Sequence, residues 1–517
     1  MSRRSSEQLQ SGRIRLSQTD DRKPVRKIAG SGGGCCRQSG KYCRQTGAYL
    51  TVFLSLCLPV ILSLILSMFS AVRRNAVCME AECATDAAAS SVLAEFHQEL
   101  LRRYDLLFVD PSYGSGDPSI ERTKSHLIRY AAGNLQGDAL SVISGSRTMT
   151  AVKCESAELS GVRCIFDEKA KPLKEQILAY MTAELLGEAA AGITQKVDAW
   201  KGIGPDASEW HRKKEENERT LQEELSRRRE EEPEEPEIED PAKEVESFRL
   251  RPALLQIFGS TSGISKERME DSCPSRREIH QGSGGETSNS HHYRPADTVL
   301  LDEYLLEKCG DYTKNKEGSR LQYQLEYILF GKESDTDNLE AMLGTLLLAR
   351  EAANCSFAFS DASMRATAGT IGGILAALTF SPELAEAFTT AVLFAWAYAE
   401  SIQDVKTLVS GGCVPFLKDR ESWRTPVRSI LAPYHSTHAQ NYGRGWDYRT
   451  YLRVLLFLEN ENTKCGRFLD IIESDIRKTD GNAEFKVDYC FDTFTVNAKF
   501  SSGFGYSCEV QRTVTYN

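Results

Sequence analysis

One uncharged stretch, residues 48–70, constrains the fold of this chain more than any other feature. Its 23 residues, AYLTVFLSLCLPVILSLILSMFS, contain no Asp, Glu, Lys or Arg. At a rise of about 1.5 Å per residue, a helix of this length crosses a hydrocarbon core of about 30 Å. We therefore predict a membrane-spanning helix at 47–71, with a buried helix of a soluble core as the alternative. The residues singled out as its anchor are Tyr49, Phe53, Pro59 and Phe69.

The two flanks of this stretch differ in charge, and this difference predicts an orientation. Residues 1–46 contain 11 Lys and Arg but only three acidic residues. Because the more positive flank stays in the cytoplasm, we expect the N-terminus inside and the C-terminal part outside a single-pass membrane protein. A signal peptide has a shorter apolar core of about 7–15 residues, so we expect the helix to be retained. The orientation depends on Arg22, Lys23, Arg26, Lys27, Lys41 and Arg44, among others.

The net charge and the cysteines limit which kinds of protein the chain after residue 71 can be. The whole sequence has a net charge of −10, so the part after the basic tail is strongly acidic. Nucleic-acid binding would need a basic face, so we predict that this part of the chain does not bind nucleic acid. Eleven of the 15 cysteines follow the span, without any Cys-x-x-Cys spacing. Disulfides are permitted outside a cell, but the spacing leaves their pairing open, and we expect most of these cysteines to be core residues.

The composition divides the chain into five predicted parts. Residues 1–46 are a disordered basic cytoplasmic tail, and 47–71 are the transmembrane helix. Residues 72–199 begin with apolar residues at near-helical spacing, which predicts one long helix over 48–108. Residues 200–247 are highly charged and predict a solvated helix followed by a Glu-Pro linker. Residues 248–517 form a predicted second, helical part of the ectodomain.

The pattern of apolar residues predicts an α+β fold that is mainly helical. Alternating residues predict strands within 148–166 and a C-terminal β-hairpin within 484–516, together a small antiparallel sheet. Two strongly apolar helices at 366–380 and 383–398 are each about 15 residues long, short of the roughly 20 that a span needs. We interpret them as core helices and not as a membrane hairpin. Further helices are predicted at 118–145, 170–198, 298–309, 319–330, 336–353 and 447–478.

No pattern of residues in the sequence predicts a catalytic, cofactor-binding or metal site. Gly331-Lys332 lacks the earlier glycine of a phosphate loop, and the glycines at 369–373 favour close helix packing. His435 and His438 are spaced for a metal on a helix, although Pro433 favours a loop. Asp361 begins a partial Asp-x-Ser metal motif with Arg365 in the third place. We therefore predict no enzyme activity and no cofactor.

The start of the span resembles a known family. Residues 44–53, RQTGAYLTVF, run into Leu-Pro-Val at 58–60, which is similar to the N-terminus of TadE/TadG-like proteins of the tight-adherence pilus system. The resemblance implies a processing site between Gly47 and Ala48. Prepilins of that system carry Glu five residues after the cleaved glycine, and this chain has Val52 there. This departure points to the membrane-retained, TadG-like members.

Two segments of the C-terminal half are 326–335, EYILFGKESD, and 395–405, AWAYAESIQDV, followed by Val414-Pro415 and Lys418. Together they resemble an uncharacterised ectodomain family of Gram-positive anaerobes, whose genes lie near pilus-assembly genes. The resemblance implies a place at the cell envelope without any chemistry.

From these features we predict a membrane-anchored, non-enzymatic, pilin-like or accessory component of a tight-adherence pilus. Its expected partners are the lipid bilayer and other pilin-like or pilus-assembly membrane proteins, with no nucleic acid and no small-molecule ligand. The alternative is an envelope sensor or scaffold unrelated to pili. An envelope hydrolase is disfavoured because no nucleophile–base or carboxylate pair stands out.

Overall fold

The computed structural model describes residues 43–135, 150–181, 186–231, 248–284, 295–430 and 441–516. It confirms a mainly helical α+β fold with a small antiparallel sheet. The chain divides into two compact units, Met1–Ala71 and Val72–Asn517. The tail residues Arg22, Lys23, Arg26, Lys27 and Lys41, which carry the predicted orientation, lie outside the described residues.

The elements are numbered along the chain. The helices are α1 (Cys43–Leu93), α2 (Gln98–Tyr104), α3 (Ile120–Leu135), α4 (Asp167–Tyr180), α5 (Leu186–Glu231), α6 (Ala253–Phe258), α7 (Pro295–Lys308), α8 (Gln324–Phe330), α9 (Asp335–Ser360), α10 (Ala362–Leu378), α11 (Ala385–Val409), α12 (Tyr448–Leu458) and α13 (Glu461–Arg477). The strands are β1 (Val152–Cys164), β2 (Phe491–Ser502) and β3 (Ser507–Thr515).

The first helix is shorter than the apolar spacing predicts. The prediction of one helix reaching Phe108 was wrong, because α1 ends at Leu93 and α2 begins at Gln98. Nδ1 of His97 accepts a hydrogen bond from the Leu100 amide at 3.4 Å, which caps α2. The amide of His97 donates to the Phe108 carbonyl at 2.9 Å. The break is therefore made by contacts with later residues, and neither Gly nor Pro marks it in the sequence.

The sheet has the strand order β1-β2-β3, with both pairs antiparallel. The predicted C-terminal hairpin is confirmed, and its completion by a strand from 148–166 is confirmed as well. That segment forms one strand with irregular register instead of two short ones. α3 and the second half of α1 pack on the sheet and bury one face of it. We call this cluster the sheet core; its members include Val77, Ala81, Ala84, Ala88, Leu127, Phe494, Val496, Phe500 and Val510.

A larger cluster, the helical core, joins α2 with α4–α13. The helix predicted at 383–398 is longer than expected, since α11 has 25 residues. The interpretation of it as a core helix still fits, because α11 buries Trp396, Ala397 and Ile402. Gly372 of α10 lies against α11, where an added Cβ would be 2.6 Å from the Thr389 nitrogen. The close helix packing predicted for the glycines of α10 is therefore confirmed at this position.

The charged segment that follows residue 200 is part of a packed helix. α5 continues to Glu231, so the predicted division at 199/200 falls inside it. Trp210 packs on Phe359 with ring centroids 4.7 Å apart, and Leu221 is buried against the ends of α10 and α11. The remaining part of the predicted linker, 232–247, lies outside the described residues.

Candidate functional site

The candidate site is the apolar surface that α1 presents over residues 49–69. The predicted anchor residues Tyr49, Phe53 and Phe69 have 78%, 64% and 48% of their surface exposed. The other large apolar side chains of this stretch are also exposed, on every side of the helix. A helix that is apolar all round is normally buried in a core or a membrane. Among the described helices, α1 alone is long and apolar enough to cross a membrane.

The hydroxyl of Ser55 is a polar group of this stretch that bonds inside the helix. Pro59 lies in α1 and has no N–H, so the carbonyl of Ser55 lacks its usual helical donor. The Ser55 hydroxyl itself donates to the Val52 carbonyl at 2.8 Å. Lipid offers no hydrogen-bond partners, and membrane helices satisfy hydroxyl groups in this way. The chemistry of the stretch therefore suits a hydrocarbon environment.

The predicted processing site lies near the start of α1. Gly47 and Ala48 both belong to this helix, which begins at Cys43, one residue before Arg44. Glycine destabilises a helix by about 0.5–1 kcal/mol relative to alanine, so Gly47 lowers the local stability of α1. The side chains of Arg44 and Ala48 are outside the described part of the structure.

The second half of α1 is attached to the edge strand β3 by a row of contacts. Arg512 pairs with Glu82 at 3.3 Å and with Asp86 at 3.0 Å. The Tyr516 hydroxyl donates to the carbonyl of Leu93. At the other end, the guanidinium of Arg73 lies 3.9 Å from the centroid of the Phe504 ring. Sequence reasoning missed this row, although the alternation predicted within 484–516 places Arg512 and Tyr516 on one face.

The helical core contains a fully buried ionic network that sequence reasoning also missed. Asp404 of α11 accepts hydrogen bonds from Arg350 at 2.9 Å and from Lys418 at 2.7 Å. Lys418 also donates to Glu400 at 2.7 Å and to the Tyr442 hydroxyl at 2.8 Å. The two cations balance the two carboxylates, so the network is neutral as a whole. No local pattern predicts it, because its members come from three distant segments of sequence.

Several buried carboxyl groups outside this network hold their protons more tightly than usual. Burial raises the pKa of Glu326 to about 7, and the nearby Asp311 adds to the effect. Oε1 of Glu326 accepts from Tyr448 at 2.6 Å and from the Tyr312 amide at 3.0 Å. Burial likewise raises the pKa of Glu473 to about 7 and that of Asp302 to about 7. Glu326 and Asp311 are both 0% exposed, so they line the core and not a surface cleft.

The motifs considered in the sequence have structural roles where the structure describes them. Asp361 is the N-cap of α10, and its Oδ1 accepts from the Met364 amide at 2.9 Å. Gly331 ends α8 in a left-handed conformation with φ of 61°. An added Cβ at Gly331 would lie 2.6 Å from Nε of Arg467, so the guanidinium would have to shift to admit a side chain. His435 and His438 lie outside the described residues.

A metal site needs several His, Cys, Asp or Glu side chains that converge on one point. Within the described ranges, no three His, Cys, Asp or Glu side chains converge as metal ligands would.

The comparisons with known proteins give one match. The model of a family of unknown function (DUF5702) matches residues 231–502, which is slightly more than half of the chain. No curated protein matches this chain. No solved structure matches it either.

Proposed function

Because the chain belongs to the family of unknown function DUF5702, no activity follows from membership, and we propose one from its own residues. The protein is a membrane-anchored, non-enzymatic, pilin-like or accessory component of a tight-adherence pilus assembly system. Its N-terminal tail lies in the cytoplasm, and the chain from residue 72 onward lies outside the cell.

The single observation that carries this proposal is the exposed apolar surface of α1. Leu50, Leu56 and Leu66 are each at least 60% exposed. A contiguous apolar surface of this kind marks a site that binds a membrane or another apolar surface. The uncharged length of the stretch favours a bilayer as its first environment.

The division of α1 into two halves supports the pilin-like part of the proposal. The first half is exposed and apolar, whereas the second half buries Val77, Ala81 and Ala84 against an antiparallel sheet. A helix that anchors at one end and supports an exported sheet at the other is the arrangement expected of a pilin-like protein. The resemblance of residues 44–53 to TadE/TadG-like proteins adds a second, independent reason.

The mechanism is packing of apolar helices. In the bilayer, lipid tails cover the side chains of residues 49–69. When the same side chains meet the apolar helix of another pilin-like protein, contact between helices replaces contact with lipid. Such association depends on close packing, because lipid is as apolar as the helix itself. Loss of a bulky anchor side chain is therefore expected to weaken assembly more than membrane insertion.

Photo-crosslinking in the native host tests the proposal. A photoreactive phenylalanine analogue at Phe53 is expected to capture a pilin-like or pilus-assembly membrane protein, whereas the same analogue at the buried Phe394 captures none. Adducts confined to a signalling receptor would reject the pilus role and support the envelope sensor. Release of the protein from membranes by alkaline carbonate would reject the anchor itself.

The N-terminal peptide of the membrane-extracted protein separates the two forms of the proposal. Mass spectrometry that finds Ala48 as the first residue identifies a processed pseudopilin. An intact basic tail identifies a permanently anchored accessory protein that does not enter a fibre.

A further inference from the structure

Two cysteines face each other between α1 and the edge strand β3. Cys78 lies on α1 and Cys508 on β3, both are partly buried, and both are free thiols in the structure. Burial and the hydrogen-bonded thiol of Cys78 raise the pKa of Cys508 to about 11. Arg73 lies against Phe504 on one side of the pair, and Arg512 pairs with Glu82 on the other. These contacts place Cys78 beside Cys508, although 430 positions separate them in the sequence.

The alternation of β3 places Cys508 on the face that meets α1. In a strand, residues two apart share a face. Val510 is buried in the sheet core, and Arg512 pairs with Glu82 and Asp86 of α1. Cys508 lies two residues before Val510 and four before Arg512, so its side chain points to α1 as theirs do.

The periodicity of α1 places Cys78 on the matching line. Residues four apart lie one above the other on a helix, so Cys78, Glu82 and Asp86 form one row. Arg512 bonds to both of the acidic members of that row. From Cys508 to Arg512 the strand advances about 13 Å, and from Cys78 to Glu82 and Asp86 the helix advances about 6 and 12 Å. The row on the strand and the row on the helix therefore advance by similar distances, which places Cys78 opposite Cys508.

The geometry disfavours the other nearby pairings. Cys154 and Cys508 are both aligned with Phe500, on opposite sides of it. They are thus two strands apart, about 9.5 Å, which exceeds the separation of about 4.4–6.8 Å between the Cα atoms of a disulfide. Cys83 is exposed and lies five residues after Cys78, which places it on a different side of α1.

We propose that Cys78 and Cys508 form a disulfide in the exported protein and so fasten the edge strand to α1. The proposal rests on the proposed location of these residues outside the cell, where disulfides persist. The oxidant is itself a disulfide, of a protein or a small molecule. One thiolate of the pair attacks a sulfur of the oxidant, and the second cysteine then displaces that sulfur from the mixed disulfide. One S–S bond forms in the protein, and the oxidant leaves as two thiols that carry the two protons.

Peptide mapping of the full-length protein tests the link. Cells are treated with N-ethylmaleimide before membranes are extracted, and the protein is digested without reductant and analysed by mass spectrometry. We expect peptides joined between Cys78 and Cys508, and N-ethylmaleimide on Cys83. Alkylation of both Cys78 and Cys508, or a bond from either to another cysteine, would overturn the proposal.

Two matched variants and a topology probe complete the experiment. In Cys508→Ser, we expect Cys78 to be alkylated. In Cys154→Ser, we expect the joined peptides to remain unchanged. If Cys78 is still linked to another peptide in Cys508→Ser, the assignment of its partner is contradicted. A membrane-impermeant maleimide on intact cells reports the location of Cys83 separately. If Cys83 is labelled while Cys78 and Cys508 are both alkylated, the disulfide is rejected but the proposed topology is supported. If Cys83 is not labelled but the joined peptides are found, the proposed topology is rejected and the disulfide is supported.

Discussion

The sheet core and the helical core bury different kinds of side chain. Beneath the sheet, α1 contributes Val77, Ala81 and Ala84, and the strands contribute Phe494 and Phe500. The charged groups that join β3 to α1, such as Arg512 and Asp86, are at the solvent edge. In the helical core, by contrast, entire ion pairs are excluded from water. Packing and edge contacts therefore hold the sheet to α1, whereas the helices are joined by buried ion pairs in addition to apolar packing.

The largest expected effect follows from removing the carboxylate at the centre of the buried network. Asp404→Ala leaves Arg350 and Lys418 without the carboxylate that both now bond to. Loss of one partner of a buried ion pair costs about 3–5 kcal/mol, because the remaining charge stays buried. The measurement is the urea midpoint of the full-length protein in detergent micelles. Helical signal should be lost at a lower urea concentration.

A surface pair of the sheet is the matched control for this variant. Lys499 and Glu509 are 3.7 Å apart, with 62% and 66% of their side chains exposed. An exposed pair contributes about 0–1 kcal/mol, so Glu509→Ala should shift the midpoint very little. Equal shifts for Asp404→Ala and Glu509→Ala would refute the contrast between the two cores.

The next effect concerns the covalent link proposed for the sheet core. A disulfide typically contributes about 2–4 kcal/mol, so Cys508→Ser should unfold earlier than the oxidised native protein. With reductant present, the two proteins should unfold together, because the native protein has then lost the same bond. Cys83→Ser, which changes an exposed thiol of α1, should match the native protein under both conditions. A difference that persists in reductant would assign the effect to packing and not to the bond.

The pH dependence of stability should come from the helical core. Burial raises the pKa of Glu326 to about 7, above the ordinary value of 4.5. The folded state therefore keeps a proton that the unfolded state releases, and this contribution to stability is lost as the pH rises from about 4.5 to 7. Each unit of pKa difference is worth about 1.4 kcal/mol, so the expected loss is about 3 kcal/mol.

The Glu326→Gln variant isolates this contribution. Its amide has nearly the shape of the neutral carboxyl group and carries no charge at any pH. The stability of the variant relative to the native protein should rise between pH 5 and pH 8, measured by thermal unfolding in micelles. The groups facing Glu326 are Tyr448, Tyr312, Asp311 and the Arg449 that pairs with Asp311 at 3.0 Å. A constant difference across this range would mean that Glu326 is ionised in the folded protein.

The features that could be predicted from the sequence are those that depend on neighbouring residues. The exposed helix over 48–70 and the C-terminal hairpin follow from local patterns, since uncharged length and alternation are properties of neighbouring residues. The packing of α5 was accessible too, because Trp200, Trp210 and Leu221 are spaced by nearly three turns and share one face. The high charge of this segment instead predicts a solvated helix, although that face is apolar.

The remaining features depend on contacts that no local pattern records. α1 ends at Leu93 because residues 96–109 turn back toward β2, with the Val109 amide bonded to the Phe491 carbonyl at 2.9 Å. The pairing of Arg350 with Asp404 likewise joins two helices. A single sequence shows that these residues are charged or apolar but not which of them meet.

The smallest predicted effect concerns the junction of α10 and α11. An alanine Cβ at Gly372 would lie 2.6 Å from the Thr389 nitrogen and 2.8 Å from the Ala385 carbonyl oxygen. Overpacking of this kind costs about 1–3 kcal/mol, so Gly372→Ala should lower the urea midpoint. Gly373→Ala is the matched control, because an added Cβ there meets nothing within 4 Å among the described residues. In the control, the higher helix propensity of alanine should stabilise the protein by up to about 1 kcal/mol. Opposite shifts from adjacent glycines would locate the constraint in the contact with α11, whereas two equal gains would show that α10 can move away from α11 without cost.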